Sequence, residues 1–306
     1  MPTATPDTPE AQEILKRIRR IELRTRNAMA AAFSGQYRSV FKGRGMNFEE
    51  VREYQPGDEV RFIEWNVTAR IGEVRGEAYV KKFTEERELT LLLLVDISAS
   101  GIFGSTGAKR ELAAEVAAVL AFSAVQNNDK VGLLLFTDRN ELFIPPGRGR
   151  GHALRLIREI LFYQPASERT DVAQALRSAI RLQRHRSIMV MLSDFQTPPF
   201  DKDLSTAARK HDVIAMQTLD PVEENLPDAG TVIVEDAESG ELLRINTSDP
   251  SIREQYAARA QTRAASLRDT FRSKKVDHLI LRTGVNYIPV LRTFFLNRER
   301  RLASPA

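Results

Sequence analysis

The spacing of hydrophobic positions changes twice along this chain, and each change marks a different kind of structure. From residue 10 to residue 33, isoleucines and leucines recur at helical intervals among Arg and Glu, which predicts one amphipathic helix. From residue 46 to residue 82 the apolar runs are short and are separated by turn residues such as Pro56, Gly57 and Asp58. That pattern predicts a small antiparallel β subdomain.

A continuous apolar run from Leu89 to Val95 opens the rest of the chain. The run does not alternate with polar residues, so it predicts a strand buried on both faces, as in a parallel sheet covered by helices. Segments with helical and strand periods then alternate up to residue 285. This order predicts an α/β fold: a doubly wound, mostly parallel sheet preceded by the N-terminal helix and the small β subdomain.

These changes of pattern predict three parts of the chain. Residues 1–88 hold the N-terminal helix and the β subdomain, and residues 89–285 hold the α/β domain. Two apolar runs around Ser239 and Gly240 predict a hairpin insertion in that domain, at about residues 222–249. Residues 286–306 are predicted to form a basic C-terminal helix or tail.

The composition of the 306 residues narrows the possible functions. There is no cysteine, which excludes disulfides, thiol nucleophiles and thiolate metal sites. The first residues lack the apolar core of a secretory signal, and no apolar run is long enough to span a membrane, so we expect a cytoplasmic protein. Residues 251–306 carry 12 basic and 4 acidic side chains. Such a tail can bind nucleic acid or acidic lipid, although a solvated helix face is the commoner explanation.

Polar side chains follow the predicted strands where each strand ends. Asp96, Ser98 and Ser100 alternate directly after the first buried strand, Thr170 lies in a later polar loop, and Asp194 follows another strand. Taken singly, such residues are more often helix caps or turn formers. In a doubly wound sheet, however, the three loops lie side by side, and clustered oxygen ligands suit Mg²⁺ or Mn²⁺. Together they predict a metal site.

These five residues resemble the metal-ion-dependent adhesion site of von Willebrand factor A (vWA) domains, and the resemblance covers the whole predicted α/β domain. It implies that the three hydroxyls approach the cation directly and that the two carboxylates act through waters. It also implies that an Asp or Glu of a partner protein completes the coordination. Phe195 stands where many members of that family have glycine.

A second block narrows the resemblance. The segment from Phe48 to Trp65, followed by Thr68-Ala69-Arg70 and by Glu85-Glu86-Arg87, resembles the signature of the bacterial DUF58 family. This resemblance spans most of the chain. It implies a partnership with MoxR-type AAA+ ATPases in protein assembly, maturation or stress-related chaperoning.

A glycine-rich basic segment carries Arg148 and Arg150 between Gly147 and Gly151. It lacks the Gly-Lys-Ser/Thr ending of a phosphate-binding loop. We therefore expect a flexible basic loop near the metal site that contacts an acidic partner.

We expect a metal-dependent protein-binding module without a small-molecule substrate, acting as an adaptor or co-chaperone of an AAA+ ATPase. One alternative is a metal-dependent phosphate-handling hydrolase, because phosphoaspartyl hydrolases place their nucleophile where Asp96 stands. Ser98 then replaces their second carboxylate, and no lysine near a strand end obviously stabilises a phosphoryl group, since Lys202 follows Asp194 on a predicted helix. Another alternative is a binder of nucleic acid or membrane surfaces through the basic tail.

Overall fold

The computed structural model of the protein describes residues 18–23, 47–56, 58–59, 63–75, 78–84, 89–102, 108–235 and 242–303. The chain separates into two units: Lys42–Leu89, and Met1–Phe41 together with Thr90–Ala306. Within the described ranges, none of the helices combines the length and the apolar character that a membrane crossing needs.

The predicted N-terminal helix is described in part. Residues 18–23 are helical, and the side chains of Ile18 and Ile21 are buried. The rest of that prediction, residues 10–17 and 24–33, lies outside the described residues.

The smaller unit contains an antiparallel strand pair and a helix. Strand β1 (Asn47–Glu53) pairs with β2 (Tyr79–Thr84), and helix α1 (Trp65–Arg75) lies between them in the chain. The helix was not predicted, because this segment reads as short strands separated by turns. The Glu64 carboxylate accepts the backbone N–H of Asn66 at 3.4 Å, which supplies a partner for an N–H of the first helical turn.

A bidentate ion pair holds the predicted turn at Pro56 to Asp58. The two guanidinium nitrogens of Arg52 donate to the Asp58 carboxylate at 2.8 and 2.7 Å, and the backbone N–H of Gln55 donates to the same group at 2.8 Å. The Arg52 side chain, followed by the Gln55 backbone, lowers the pKa of Asp58. The carboxylate therefore stays ionised in the turn.

The larger unit is built on a six-stranded sheet. Its strands are β3 (Thr90–Asp96), β4 (Lys130–Phe136), β5 (Asn140–Gly147), β6 (Ile188–Ser193), β7 (Asp212–Leu219) and, after a separate hairpin, β10 (Asp277–Arg282). That hairpin consists of β8 (Thr231–Glu235) and β9 (Leu242–Asn246), which pair with each other. The strand order in the sheet is β10-β7-β6-β3-β4-β5, and every pair is parallel except β4 with β5.

Helices follow the strands, as the sequence pattern predicts. They are α2 (Lys109–Gln126), α3 (Arg150–Phe162), α4 (Val172–Leu182), α5 (Asp201–Lys210), α6 (Pro221–Glu224), α7 (Pro250–Ser273) and α8 (Ile288–Ala303). The predicted doubly wound, mostly parallel α/β fold is thus confirmed. Residues Leu91 to Val95 of β3 have no exposed surface, as expected of a strand covered on both faces.

The strand order determines where a ligand would bind. From β3 the chain moves outward through β4 to β5, then returns to β6 on the other side of β3 and continues to β7 and β10. The carboxyl ends of β3 and β6 therefore lie at the point where the winding direction reverses. Ligands of open α/β sheets bind in the crevice at this point.

One buried histidine makes stability depend on pH. The His211 ring is buried, its Nδ1 lies 3.1 Å from the Ser187 hydroxyl, and its Nε2 has no hydrogen-bond partner among the described residues. Burial, followed by the charges of Lys210 and Arg186, lowers the pKa of His211 to about 4. Because the unfolded histidine titrates near 6.5, the unfolded state takes up the proton first as the pH falls.

We therefore expect this histidine to cost the protein about 1–2 kcal/mol of unfolding free energy between pH 7.5 and pH 5. Urea unfolding at both pH values measures the loss, and His211→Asn is expected to reduce it by that amount. His185→Asn is the matched control, because the His185 side chain is exposed. Equal pH dependence in the wild type and His211→Asn would show that the ring does not carry the effect.

Candidate metal-binding site

The predicted site residues converge on the crevice at the ends of β3 and β6. Asp96 is the last residue of β3, Asp194 directly follows β6, and Thr170 lies two residues before α4. All three side chains are buried. Because β3 and β6 are parallel neighbours, with Val95 paired to Leu192, their carboxyl ends project to the same edge of the sheet.

Three donors hold the Asp96 carboxylate. Its Oδ1 accepts the backbone N–H of Ser98 at 3.0 Å and faces the Thr170 hydroxyl at 3.5 Å. Its Oδ2 accepts the Ser193 hydroxyl at 2.6 Å. Ser193 was not among the predicted site residues, although it stands next to Asp194. The carboxylate is thereby fixed in one orientation.

The two serine hydroxyls have the spacing of adjacent metal ligands. Ser98 Oγ lies 3.1 Å from Ser100 Oγ. Octahedral ligands about 2.1 Å from a Mg²⁺ ion lie about 3 Å from their neighbours. The short 3₁₀ helix Ala99–Ile102 carries Ser100, and Gly101 N–H donates to the Ser98 carbonyl at 3.0 Å. Local backbone structure therefore sets the distance between the hydroxyls.

Hydrogen bonds also join the three loops to one another. The Ala99 N–H donates to the Glu168 carbonyl at 3.1 Å, and the Thr197 hydroxyl donates to the Thr170 carbonyl at 3.3 Å. Asp171, next to Thr170, caps α4 by accepting the Gln174 N–H at 2.9 Å. Asp171 is thus a structural residue, whereas Thr170 faces the site.

The backbone after Asp194 takes an unusual conformation. Phe195 has φ of 59°, in the left-handed region that glycine adopts more easily. Its N–H donates to the Ser193 hydroxyl at 2.9 Å, and its buried ring packs edge-on against Phe271 with centroids 5.1 Å apart. Aromatic packing therefore compensates the cost of a non-glycine residue at this turn.

A buried lysine, which sequence reasoning missed, contacts the site. The Lys109 ammonium donates to Asp194 Oδ2 at 2.6 Å and to Glu223 Oε1 at 2.9 Å, and its side chain is 2% exposed. Burial alone lowers the pKa of Lys109, but the charges of Asp194 and Glu223 outweigh it, so that the pKa is raised and the ammonium stays charged. Sequence reasoning considered only Lys202 as a lysine near this site and overlooked Lys109.

The two carboxylates of the site differ in how their negative charges are balanced. Asp194 has an ammonium as its partner, whereas the partners of Asp96 named above are neutral. Burial, followed by the charge of Asp194, raises the pKa of Asp96 to about 6, although the bonds from Ser193 and Ser98 lower it. The site thus contains negative charge that a cation would stabilise.

The donor set fits a hard divalent cation. The two carboxylates and three hydroxyls supply oxygen ligands only, and Asp96, Ser100 and Asp194 line a small open crevice, whereas Ser98 and Thr170 are not among its lining residues. Lys109 also lines this crevice. In the part of the chain that the structure describes, no group of three or more His, Asp or Glu side chains is arranged to hold a metal ion. The candidate site is a different kind, in which hydroxyls outnumber carboxylates.

Comparison with known proteins identifies the family. The family model described as "Protein of unknown function DUF58" matches residues 50–266. This chain belongs to the DUF58 family. Among its relatives, "Uncharacterized protein Rv1480" of Mycobacterium tuberculosis is 33% identical over 287 residues, which cover 92% of this chain and 89% of the relative. "Uncharacterized protein MAV169" of Mycobacterium avium is 34% identical over 160 residues, which cover 51% of this chain and 94% of the relative.

Solved structures that are similar to this DUF58 protein include two that cover about two thirds of it. The conserved hypothetical protein BatB from Bacteroides thetaiotaomicron aligns with a TM-score of 0.45 at 16% identity, over 69% of this chain and 99% of BatB. The SpRpn10 VWA domain aligns with a TM-score of 0.39 at 12% identity, over 68% of this chain and 94% of the domain.

The basic loop of the DUF58 chain lies away from the candidate site. Arg148 follows β5, which is antiparallel to β4, and the end of β5 pairs with the start of β4 through Gly147 and Val131. The loop is therefore at the amino edge of the parallel strands, and the structure does not bring it to Asp96. Arg150, at the start of α3, instead donates to the Glu22 carboxylate at 2.7 Å.

Proposed function

We propose that this DUF58 protein is a metal-dependent protein-binding module. The carrying observation is that the hydroxyls of Thr170 and Ser193, which lie 74 and 97 residues after Asp96 in the chain, contact the Asp96 carboxylate at the switch point of the sheet. Ser98, Ser100 and Thr170 would hold Mg²⁺ or Mn²⁺ directly, with Asp96 and Asp194 acting through waters. When bound, the ion supplies a positive centre with an open position for a carboxylate of the partner.

The surroundings of Asp96 favour binding over hydrolysis. A nucleophilic aspartate needs a free, ionised oxygen facing its substrate. Here both oxygens of Asp96 already accept hydrogen bonds, from the Ser98 N–H and the Ser193 hydroxyl. The neighbouring Ser98 cannot act as the general acid that a second carboxylate provides.

Lys109 is the one observation that favours a phosphate-handling hydrolase as a second candidate, because an ammonium beside two carboxylates can also stabilise a phosphoryl group. However, its contacts at 2.6 and 2.9 Å are with Asp194 and Glu223, which already balance its charge. Phosphatase turnover that disappears in Asp96→Asn would favour the hydrolase.

The basic C-terminal segment is partly neutralised within the fold. The Arg298 guanidinium, with 5% of its side chain exposed, contacts both Asp212 and Asp277, and Arg301 also contacts Asp277. These two charges are therefore less available to phosphates, which weakens the case for nucleic acid or a membrane surface as the partner.

The partner is suggested by the resemblance to the DUF58 family, whose members are commonly encoded beside MoxR-type AAA+ ATPases. We infer an AAA+ ATPase of the MoxR type, or a client protein of that ATPase, bound in the cytoplasm through an acidic side chain. The protein would then serve as an adaptor or co-chaperone in protein assembly or maturation.

The test is an affinity measurement between the full chain and the MoxR-type ATPase of the same organism. We expect at least tenfold weaker binding when EDTA replaces Mg²⁺, and the same loss in Ser98→Ala with Ser100→Ala. Arg148→Ala is the matched control and is expected to change affinity less than threefold, because a surface charge at the other edge of the sheet is screened. A complex that survives both chelation and the double substitution contradicts the proposed function.

A further inference from the structure

The position of Lys109 is unfavourable by itself. It is the first residue of α2, where the positive end of the helix dipole disfavours a cation, and its side chain is 2% exposed. Burying an ammonium also removes its hydration. An apolar residue here would avoid both costs, so the carboxylates around Lys109 must hold it in place.

Lys109 occupies the oxygen of Asp194 that a metal ion or its water would need. Asp194 Oδ1 accepts the Gln196 N–H at 3.0 Å, and Oδ2 accepts Lys109 at 2.6 Å. Both oxygens of Asp194 are thus already hydrogen-bonded, and a cation that uses Oδ2 would have to share it with the ammonium or displace it.

Glu223 gives the ammonium a second acceptor that does not depend on Asp194. Its Oε1 accepts Lys109 and the Gln196 side chain, each at 2.9 Å, and its Oε2 accepts the Asp220 N–H at 2.8 Å. Asp220 in turn accepts the Val222 N–H at 3.0 Å as the cap of α6. Because Glu223 is fixed by this cap, Lys109 keeps an anionic partner when it leaves Asp194.

We infer that Lys109 is an internal cation that competes with the metal ion for Asp194 and so sets the metal affinity of the site. The inference rests on the proposed function, in that the metal binds between Asp96 and Asp194. With a metal bound, the Lys109 ammonium would give up Asp194 and keep its contact with Glu223. The metal would then bind more weakly than its oxygen ligands alone would allow.

The test is a Mn²⁺ titration of the full chain, with the free ion measured by electron paramagnetic resonance. Lys109→Met removes the competitor, so we expect a Kd at least tenfold lower than in the wild type. Glu223→Gln removes the second acceptor carboxylate while keeping an oxygen for the Asp220 N–H, so we expect a Kd about three to ten times higher. Lys202→Met, at an exposed position, is the matched control and is expected to leave the Kd unchanged.

The opposite signs of the two variants separate competition from a structural role, which would weaken Mn²⁺ binding in both. Equal affinity in the wild type and Lys109→Met overturns the inference and leaves the proposed function standing. Binding in Lys109→Met alone supports the inference and contradicts a metal-dependent function of the wild type. If Lys109→Met does not fold, an unchanged Kd in Glu223→Gln overturns the inference. The absence of Mn²⁺ binding in every variant overturns both.

Discussion

Asp194→Asn is expected to lower the free energy of unfolding by about 1–3 kcal/mol in the absence of metal, whereas Asp96→Asn is expected to leave it unchanged or raise it. The reason is that the negative charges of the two carboxylates are balanced to different extents. Removing the Asp194 charge leaves the buried Lys109 ammonium with one carboxylate fewer, because their contact at 2.6 Å is lost. Removing the Asp96 charge relieves its repulsion with Asp194 and its burial without an ionic partner.

Urea unfolding at pH 7.5 in EDTA measures both effects. The two substitutions are chemically identical and lie at adjacent strand ends, so each serves as the control for the other. Equal losses in the two variants would contradict the unequal compensation of the carboxylates.

The sheet could be predicted because its signal is local. The uninterrupted run from Leu89 to Val95 is explained by a strand covered on both faces, and the structure confirms it with no exposed surface on residues Leu91 to Val95. The alternation of strands and helices after it left few topologies open. Residues at the strand ends, such as Asp96 and Asp194, then followed from the topology.

Lys109 could not be predicted, because its partners are distant in the sequence. Asp194 lies 85 residues later and Glu223 lies 114 residues later. A lysine next to Arg110 at the start of a helix reads as solvent-exposed by its spacing. The only local signal is the positive charge of Lys109, since a cation in the first helical turn interacts unfavourably with the helix dipole.

The predicted position of the Arg148 loop was wrong for a related reason. The sequence indicated an edge strand but not its direction, and this direction determines at which edge of the sheet the loop lies. Because β5 runs antiparallel to β4, its end lies beside Val131 rather than beside Phe136. Likewise, the segment of α1 was predicted as short strands. One contact of this helix is the hydrogen bond from Tyr79 N–H to the Thr68 hydroxyl at 3.0 Å, which joins residues distant in the sequence and leaves no signal in the local pattern.

Ser98→Ala with Ser100→Ala is expected to weaken Mn²⁺ binding at least a hundredfold. The two hydroxyls, 3.1 Å apart, are the pair whose spacing fits adjacent positions around an ion. Alanine removes both ligands but keeps the Ser98 N–H that holds Asp96 at 3.0 Å, so the loop conformation is maintained. Ser205→Ala is a matched control, because that hydroxyl is exposed and bonds only within α5, to the Asp201 carbonyl, among the described contacts.

The most direct measurement of the central claim is the stoichiometry of Mn²⁺ binding, followed by electron paramagnetic resonance for the wild type and the double serine variant. We expect one Mn²⁺ per chain, displaced by Mg²⁺, in the wild type and in Ser205→Ala, and none at the same concentrations in the double variant. A wild type that binds no Mn²⁺, or a double variant that keeps one Mn²⁺ with unchanged affinity, would contradict the assignment of a metal site to the ends of β3 and β6.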